Sequence, residues 1–528
     1  MQVSWPQAVL AALPLLVILV LMVGLRWSAQ RAGLVGLSVT LLVAWFGFGY
    51  GTDVLPELGP ALATGGALLE ALSIAATIVW IIFPALCIHE LQVRTGGADT
   101  MRSALSKLSD DPRIVALLIA WFFVLFVEGA AGFGAPVALA APFLASAGFK
   151  PLEAVTIALI GHTVGVSFGA VGTPVLAQLE LVPYSGLELA GATSVYHAWL
   201  GWLIPLVAML LVTRTLPKER RLGAGAWGWA LLAAALFLAP HTLIATLLGP
   251  ELPTLAGSLI GGGLFVGALL VVRRRTPNEA EPGDRAPAER DDAEADDGAE
   301  QRPGSLLRAG APYLALVALV LVTRLIPGLR ETLQDITIGW SAEPFDADFS
   351  PLYHPGSLLF AAFVIGAVWQ RPARSELRGA IRAAAGNVAS VVVALIAMLG
   401  LSRVMVYADM VDTLASAAAG TAGAAWPLFA PFVGLLGTFM TGSATTSNIL
   451  FSELQRSAAQ QLDFAALPLL GAQGFGAAAG NSIAPHNIIA ALATVGLAGK
   501  EGEVLRRTLG VALGYTLLGG LLALLVFT

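Results

Sequence analysis

The polar residues able to do chemistry are few, and they fall in matched tracts, one pair in each half of the chain. Glu128 ends the apolar run AWFFVLFV and opens EGAAGFGAPVAL (128–139); GHTVGVSFGAVGTPV (161–175) follows. In the second half, TGSATTSNILF (441–451) precedes GAQGFGAAAGNSIAPHN (471–487). A carboxyl inside an apolar run is costly and marks a functional position. Removed from water, it is suited to taking up a proton; its other reading is a cap for nearby N–H groups. Gly442 with Ser443, Thr445, Thr446 and Asn448 offers a turn, hydroxyls and an amide, a ligand set for a carboxylate or oxyanion. Gly129 and Gly132 offer bare backbone, with Phe133 beside them. Gly172, Thr173 and Asn481 stand in the later tracts as further substrate ligands. His162 and His486 bring imidazoles that titrate in the physiological range. With Glu128 they are the candidate proton-coupling groups, although isolated histidines are more often structural hydrogen-bonders.

Several chemistries are excluded or unsupported. There is no GxxxxGK[ST] segment for ATP hydrolysis. His89-Glu90 lacks the second histidine of a zinc helix, and one cysteine, Cys87, permits neither an internal disulfide nor a thiolate metal cluster. No nucleophile–base constellation stands out. The expectation is a protein that is not an enzyme, has no cofactor or metal, and does not bind nucleic acid.

The elements that must position these residues are membrane helices. The chain has 528 residues, 57% hydrophobic and 12% charged, with mean hydropathy +0.79; a soluble domain carries roughly 25% charged residues. Apolar runs of about 20 residues, long enough to span a bilayer, recur throughout. A barrel would alternate with period two instead. The expected class is therefore an all-α polytopic protein of the cell membrane with the lipid bilayer as its solvent. The first run, 9–25, lacks a preceding basic region and a cleavage site, and reads as a retained helix. The net charge of −6 is local: residues 279–300 carry ten acids and two arginines, which leaves the rest near +2. That segment reads as a solvated cytoplasmic linker, 276–306.

Arginine and lysine flanks orient the spans. Arg26 and Arg31, then Arg94 to Arg113, Arg214 to Arg221, Arg273 to Arg275, Arg371 to Arg382, and Lys500 to Arg507 mark inside loops. For these to agree, residues 113–149 must enter from the cytoplasm and return, and residues 422–456 must enter from outside and return. These are two re-entrant hairpins. The remaining spans pair in opposite senses: 8–25 with 309–323, 32–50 with 355–370, 66–88 with 383–402, 153–176 with 466–490, and 190–213 with 507–527. Glu128 stands over Thr441 and Pro174 over Pro485, at offsets of 313 and 311. About twelve spans and two hairpins thus form an inverted repeat: 1–215 and 307–528, with 216–275 as a connecting helix pair. Paired Gly/Pro-interrupted segments in such halves point to the substrate site of a secondary transporter. Outside the tracts, Glu70 and Arg403 read as packing, snorkelling or guiding charges, and His197 and His241 as interfacial.

At EGAAGFGAPVA (128–138), GFKPL (148–152), FGAVGTPV (168–175), GPELP (249–253), MTGSATTSN (440–448) and VGLAGKEGEVLR (495–506) the chain resembles the L-lactate permease family over nearly its whole length. The resemblance implies proton-coupled import of L-lactate and related 2-hydroxy monocarboxylates such as glycolate. It also implies an ion transporter superfamily architecture of two inverted repeats with hairpins, often dimeric, with elevator-type movement; a homodimer is thus expected. Two departures stand out: the family pattern has aspartate where Ala444 stands, and Gln-Ser where His486-Asn487 stands. His486 is then the substitute titratable group. The alternative reading is a sodium-coupled carrier of another organic acid or oxyanion, since hydroxyls, amides and carbonyls suit sodium equally. A passive channel is disfavoured by two hairpins entering from opposite faces.

Overall fold

The computed structural model describes residues 5–25, 27–106, 108–109, 111–132, 134–215, 225–275, 306–497 and 499–526. Phe133 and nearly all of the acidic segment 276–306 lie outside them. Among the described residues ten helices are long and apolar enough to cross a membrane, or twelve if each bent pair is one span. Among the described residues the departure from an all-α fold is an antiparallel strand pair, Ile338–Ala342 with Phe345–Phe349, in the acidic loop around Asp346. Phe345 is buried there against Tyr407, and the Trp340 indole donates to Ser73 Oγ at 3.0 Å, so the strands cap two long helices.

Those two helices are longer than the sequence patterns indicate. Gly59–Arg94 replaces the expected 66–88 and Arg374–Tyr407 the expected 383–402. The apolar window sees only the lipid-length core of each helix, while propensity carries the helix on into the interfaces. They pack on each other; Arg374–Tyr407 also packs on Ala29–Gly47 and Gly59–Arg94 on Pro355–Gln370, which in turn covers Leu306–Leu325, with Trp5–Leu19 alongside Ala29–Gly47. Small residues permit this closeness: a methyl on Gly33 would sit 3.1 Å from Ala397 Cβ.

A second group of helices surrounds the polar tracts. The first hairpin runs Pro112–Ala130, turns, and returns as Ala135–Ser146. Its first arm is buried almost throughout. The second hairpin is Trp426–Thr441 and Ala444–Gln461, four to five residues later than the expected 422–456 because a separate helix, Met410–Ala422, precedes it. Each hairpin packs on a broken helix. One is Pro151–Gly161 followed by a 3-10 turn, Thr163–Phe168, and Gly169–Leu179, bent by 47°. The other is Ala466–Asn481 and Pro485–Thr494. Gly186–Leu200 and Leu203–Thr215, Gly225–Leu247 and Pro253–Arg275, and Glu501–Val526 complete the group.

Glycine sets how closely hairpin and broken helix approach. A methyl on Gly161 would overlap the carbonyl of Ala120 in the first hairpin, and one on Gly476 would overlap that of Pro431 in the second. Gly514, in contrast, faces open space within a helix. Gly476→Ala is therefore expected to lower the apparent melting midpoint in detergent, with overpacking costing about 1–3 kcal/mol. Gly514→Ala is expected to be neutral or to raise the midpoint, since alanine favours a helix interior by about 0.5–1 kcal/mol. Equal midpoints for the two variants would contradict this packing.

Candidate functional site

Unwinding inside a membrane protein leaves backbone groups that lipid cannot satisfy, so other parts of the chain must. The segment 163–174 shows how. Thr254 Oγ1 donates to the Gly165 carbonyl at 2.9 Å, Thr173 Oγ1 to the Ala170 carbonyl, and Asn448 Nδ2 to the Pro174 carbonyl at 3.0 Å. Ala170, Val171 and Gly172 are successively left-handed, with φ of 44°, 56° and 80°. That conformation is uncommon for alanine and an outlier for a β-branched valine; it persists only where the surroundings hold it. Those surroundings are Glu128, Pro250 of the 248–252 loop, and the second hairpin.

Glu128 ends the first arm of the first hairpin and is 6% exposed. A methyl on Gly169 would overlap its carboxylate, and one on Gly132 would lie 3.5 Å from its Oε1. Its carboxylate forms no hydrogen bond or ion pair with the described residues. Among the described residues it therefore caps no N–H group: it is a buried carboxyl beside the kinked segment.

The two hairpin turns flank the start of Pro485–Thr494. Gly132 and Gly134 of the first turn have φ of 57° and 82°, and Gly134 lies against Asn487 Oδ1. Gly442 of the second has φ of 71° and abuts the His486 imidazole. Between them lies a polar knot from both broken helices. His162 Nε2 is 2.8 Å from Asn481 Oδ1, and Asn487 Nδ2 donates to the same oxygen at 2.7 Å. His162 Nδ1 faces the Ala158 carbonyl at 3.3 Å. Both ring nitrogens therefore face acceptors, whereas a neutral imidazole can donate to only one. Asn481 is half-buried, and its Nδ2 makes no hydrogen bond to the described residues. Pro485–Thr494 begins without a side-chain cap, so its first N–H groups and their partial positive charge point into the same region.

The remaining candidates divide. Ser443 caps Ala444–Gln461 by accepting from Thr446 N at 3.2 Å. Thr445 is buried and Thr446 half-buried, and neither hydroxyl bonds to the described residues. Asn448 and Thr173 serve the unwound backbone, although Asn448 Oδ1 stays without a partner among the described residues. Gly129 backs onto Leu255 and Gly172 onto Pro250; both are packing positions facing away from the knot. Ala444 joins a small apolar cluster with Val166, Ala477 and Ala478, so this turn carries no carboxylate.

His197 and His241 are corrected from interfacial to fully buried, with rings 6.0 Å apart. Ser167 Oγ donates to the Gly474 carbonyl at 3.2 Å and so accepts from His197 Nε2 at 2.8 Å; Tyr515 then donates to His197 Nδ1 at 3.0 Å. The chain of bonds pins the unwound segment to the second broken helix. Sequence reading also missed Asn487, which orients Asn481, and a ladder from the Trp426 indole through Gln455 and Gln473 to Ser447. The signal for Asn487 was its place one residue past His486. The glutamines gave none, because buried amides look like surface ones in a single sequence.

A family model described as L-lactate permease matches residues 7–350 and 334–528. The chain is 30% identical to glycolate permease GlcA of Escherichia coli K12, over 99% of this chain and 96% of that one. It is 28% identical to L-lactate permease of the same organism, with the same coverages. The solved structure of Neisseria gonorrhoeae MtrF is similar with a TM-score of 0.44 at 17% identity, over 84% of this chain and 80% of that one.

Gly442→Ala is expected to lower the melting midpoint twice over, through overlap with His486 and through its left-handed backbone. Adding His486→Ala is expected to recover the overlap part only, leaving about 1–2 kcal/mol for the backbone. Identical midpoints for the single and double variants would show that the turn does not rest on this imidazole.

Proposed function

The chain belongs to the L-lactate permease family and is a multi-pass membrane transporter, not an enzyme; we propose that it imports L-lactate and related 2-hydroxy monocarboxylates such as glycolate by proton symport. The observation that carries the coupling is Glu128, a buried carboxyl with no partner among the described residues, beside the kinked segment. Moving one elementary charge through 100 mV costs about 2.3 kcal/mol. A monoanion travelling with one proton avoids that cost, and a carboxyl that is not engaged in an ion pair is free to take the proton. His162, whose two nitrogens face acceptors, supports proton transfer at the other end of the knot. His486 adds a titratable ring at the second turn.

In this reading the substrate carboxylate lies between the two hairpin turns. The uncapped start of Pro485–Thr494 meets it, as a helix N-terminus suits an anion. Asn481 Nδ2 and the hydroxyls of Ser443, Thr445 and Thr446 supply directional donors. Gly132 and Gly442 allow the backbone to come close. Asn448 and Thr173 hold the unwound segment rather than the substrate.

The two halves, 1–215 and 307–528, act as inverted repeats, with 216–275 as connector. The matched succession of long helix, hairpin, broken helix and closing helix in each half supports this. The hairpins and broken helices move together, elevator-like, against the long outer helices; packing that is more extensive within each group than between them supports that division. Substrate is thereby exposed to each side in turn.

Purified protein in vesicles is expected to accumulate labelled L-lactate under an imposed inward proton gradient, and not under a sodium gradient at constant pH. Accumulation with sodium alone would overturn proton coupling and favour the sodium-coupled reading. Glu128→Gln is expected to abolish gradient-driven accumulation, by at least about tenfold, while lactate–lactate exchange survives; unchanged accumulation would remove Glu128 from the mechanism.

A further inference from the structure

Two buried arginines of the outer helices reach across to elements around the site, one to the 248–252 loop of the connector and one to the second hairpin. Arg324, near the end of Leu306–Leu325, pairs with Glu251, and its guanidinium lies 3.6 Å from the centroid of the Tyr353 ring. Glu251 follows Pro250, whose carbonyl abuts Gly172 in the first broken helix. Arg403, on Arg374–Tyr407, meets Glu70 at 3.3 Å and stands 3.7 Å from Glu453 on the second arm of the second hairpin. Tyr407 donates to the other Glu70 oxygen at 2.7 Å. The side chains of Arg324, Glu251, Arg403, Glu70 and Glu453 are all under a tenth exposed.

Neither arginine is saturated. Arg324 Nη1, and Arg403 Nε and Nη2, make no hydrogen bond to the described residues. The unbonded edge of Arg403 is the one that faces Glu453, while Glu453 is held at 2.6 Å by Arg456 on its own helix. The Arg403–Glu453 contact is thus made by charge without a closed hydrogen bond, and it can part without stranding Glu453. Glu70 keeps Arg403 compensated meanwhile. Buried charges cannot be left alone at low cost, and both arginines have a second neighbour that limits that cost: Glu70 for one, the Tyr353 ring and carbonyl for the other.

We propose that Arg324 and Arg403 are positioning residues of the transport cycle, each holding the site-bearing helices against the outer helices through a glutamate, Glu251 or Glu453, that is released when those helices move. The proposal rests on the moving-body reading above, and it does not depend on the identity of the substrate.

The test uses cysteine chemistry, with Cys87→Ser removing the native thiol and Ala135→Cys reporting at the first hairpin turn. In vesicles without substrate, Glu251→Gln and Glu453→Gln are each expected to change the rate of labelling by a membrane-impermeant maleimide by at least about threefold, in the same direction. Arg324→Lys and Arg403→Lys, which keep charge but lose the fork, are expected to fall between. A purely structural role would lower the melting midpoint and leave the labelling rate alone, and that result overturns the proposal. A second arm does not depend on the glutamine variants folding. Ser402 donates to the Ile449 carbonyl at 3.0 Å across this same boundary. A Ser402→Cys, Ile449→Cys pair closed by a short bifunctional reagent is expected to confine labelling of the reporter to one side of the membrane, reversibly. Labelling from both sides after closure overturns the proposal. Failure of the lactate reading shows up separately, as absent lactate uptake by the unmodified protein.

Discussion

Backbone that leaves the helix inside a membrane must find its hydrogen-bond partners within the protein, and the rest of this structure follows from that requirement. The stretch 163–174 leaves the α-helix through a 3-10 turn, is left-handed at three successive residues, and is buried throughout. Its carbonyls are met by Thr254 from the connector, Asn448 from the second hairpin and its own Thr173. Its serine is tied through His197 to Tyr515. Elements far apart in sequence are recruited to one short segment, so they form one body. The bare glycines of the hairpins then make sense as contact positions, because only without a side chain can the covering helices come close enough.

The same constraint sorts the charges. Arg324 and Arg403 are buried with carboxylates, at the boundary between the site-bearing helices and the outer ones. Glu128 is buried without a partner among the described residues, beside the strained segment. Paired charges suit a boundary between groups of helices; a carboxyl without a partner suits a proton. Hydroxyl and amide donors gather at the second hairpin turn and the second broken helix. The two halves, alike in outline, therefore differ in chemistry: the first supplies the acid and the strained backbone, the second most of the donors.

Much of this was legible from the chain alone, and the reasons are specific. Glycine-rich tracts inside apolar runs mark places where a helix ends, and each of the four tracts holds such a break in the structure. Glu128 was conspicuous because it ends eight apolar residues. What was not legible depended on three-dimensional partners. Asn448 has the composition of a ligand but donates to Pro174, and Gly129 and Gly172 have that of anion-binding backbone but pack on the connector. His197 read as interfacial because a lone histidine shows no partner in sequence, while its partners come from residues as distant as Tyr515. The strand pair 338–349 hides in an acidic loop whose alternation is too short to stand out.

The central claim is that the substrate carboxylate sits between the two hairpin turns, at the start of Pro485–Thr494. The most direct test is an experimental structure determined with saturating L-lactate. The account requires density for the carboxylate within hydrogen-bond distance of Asn481 Nδ2 and the first amides of that helix, close to Gly442. Density seated instead at Arg403 or Arg324, with the region between the turns empty, would contradict it.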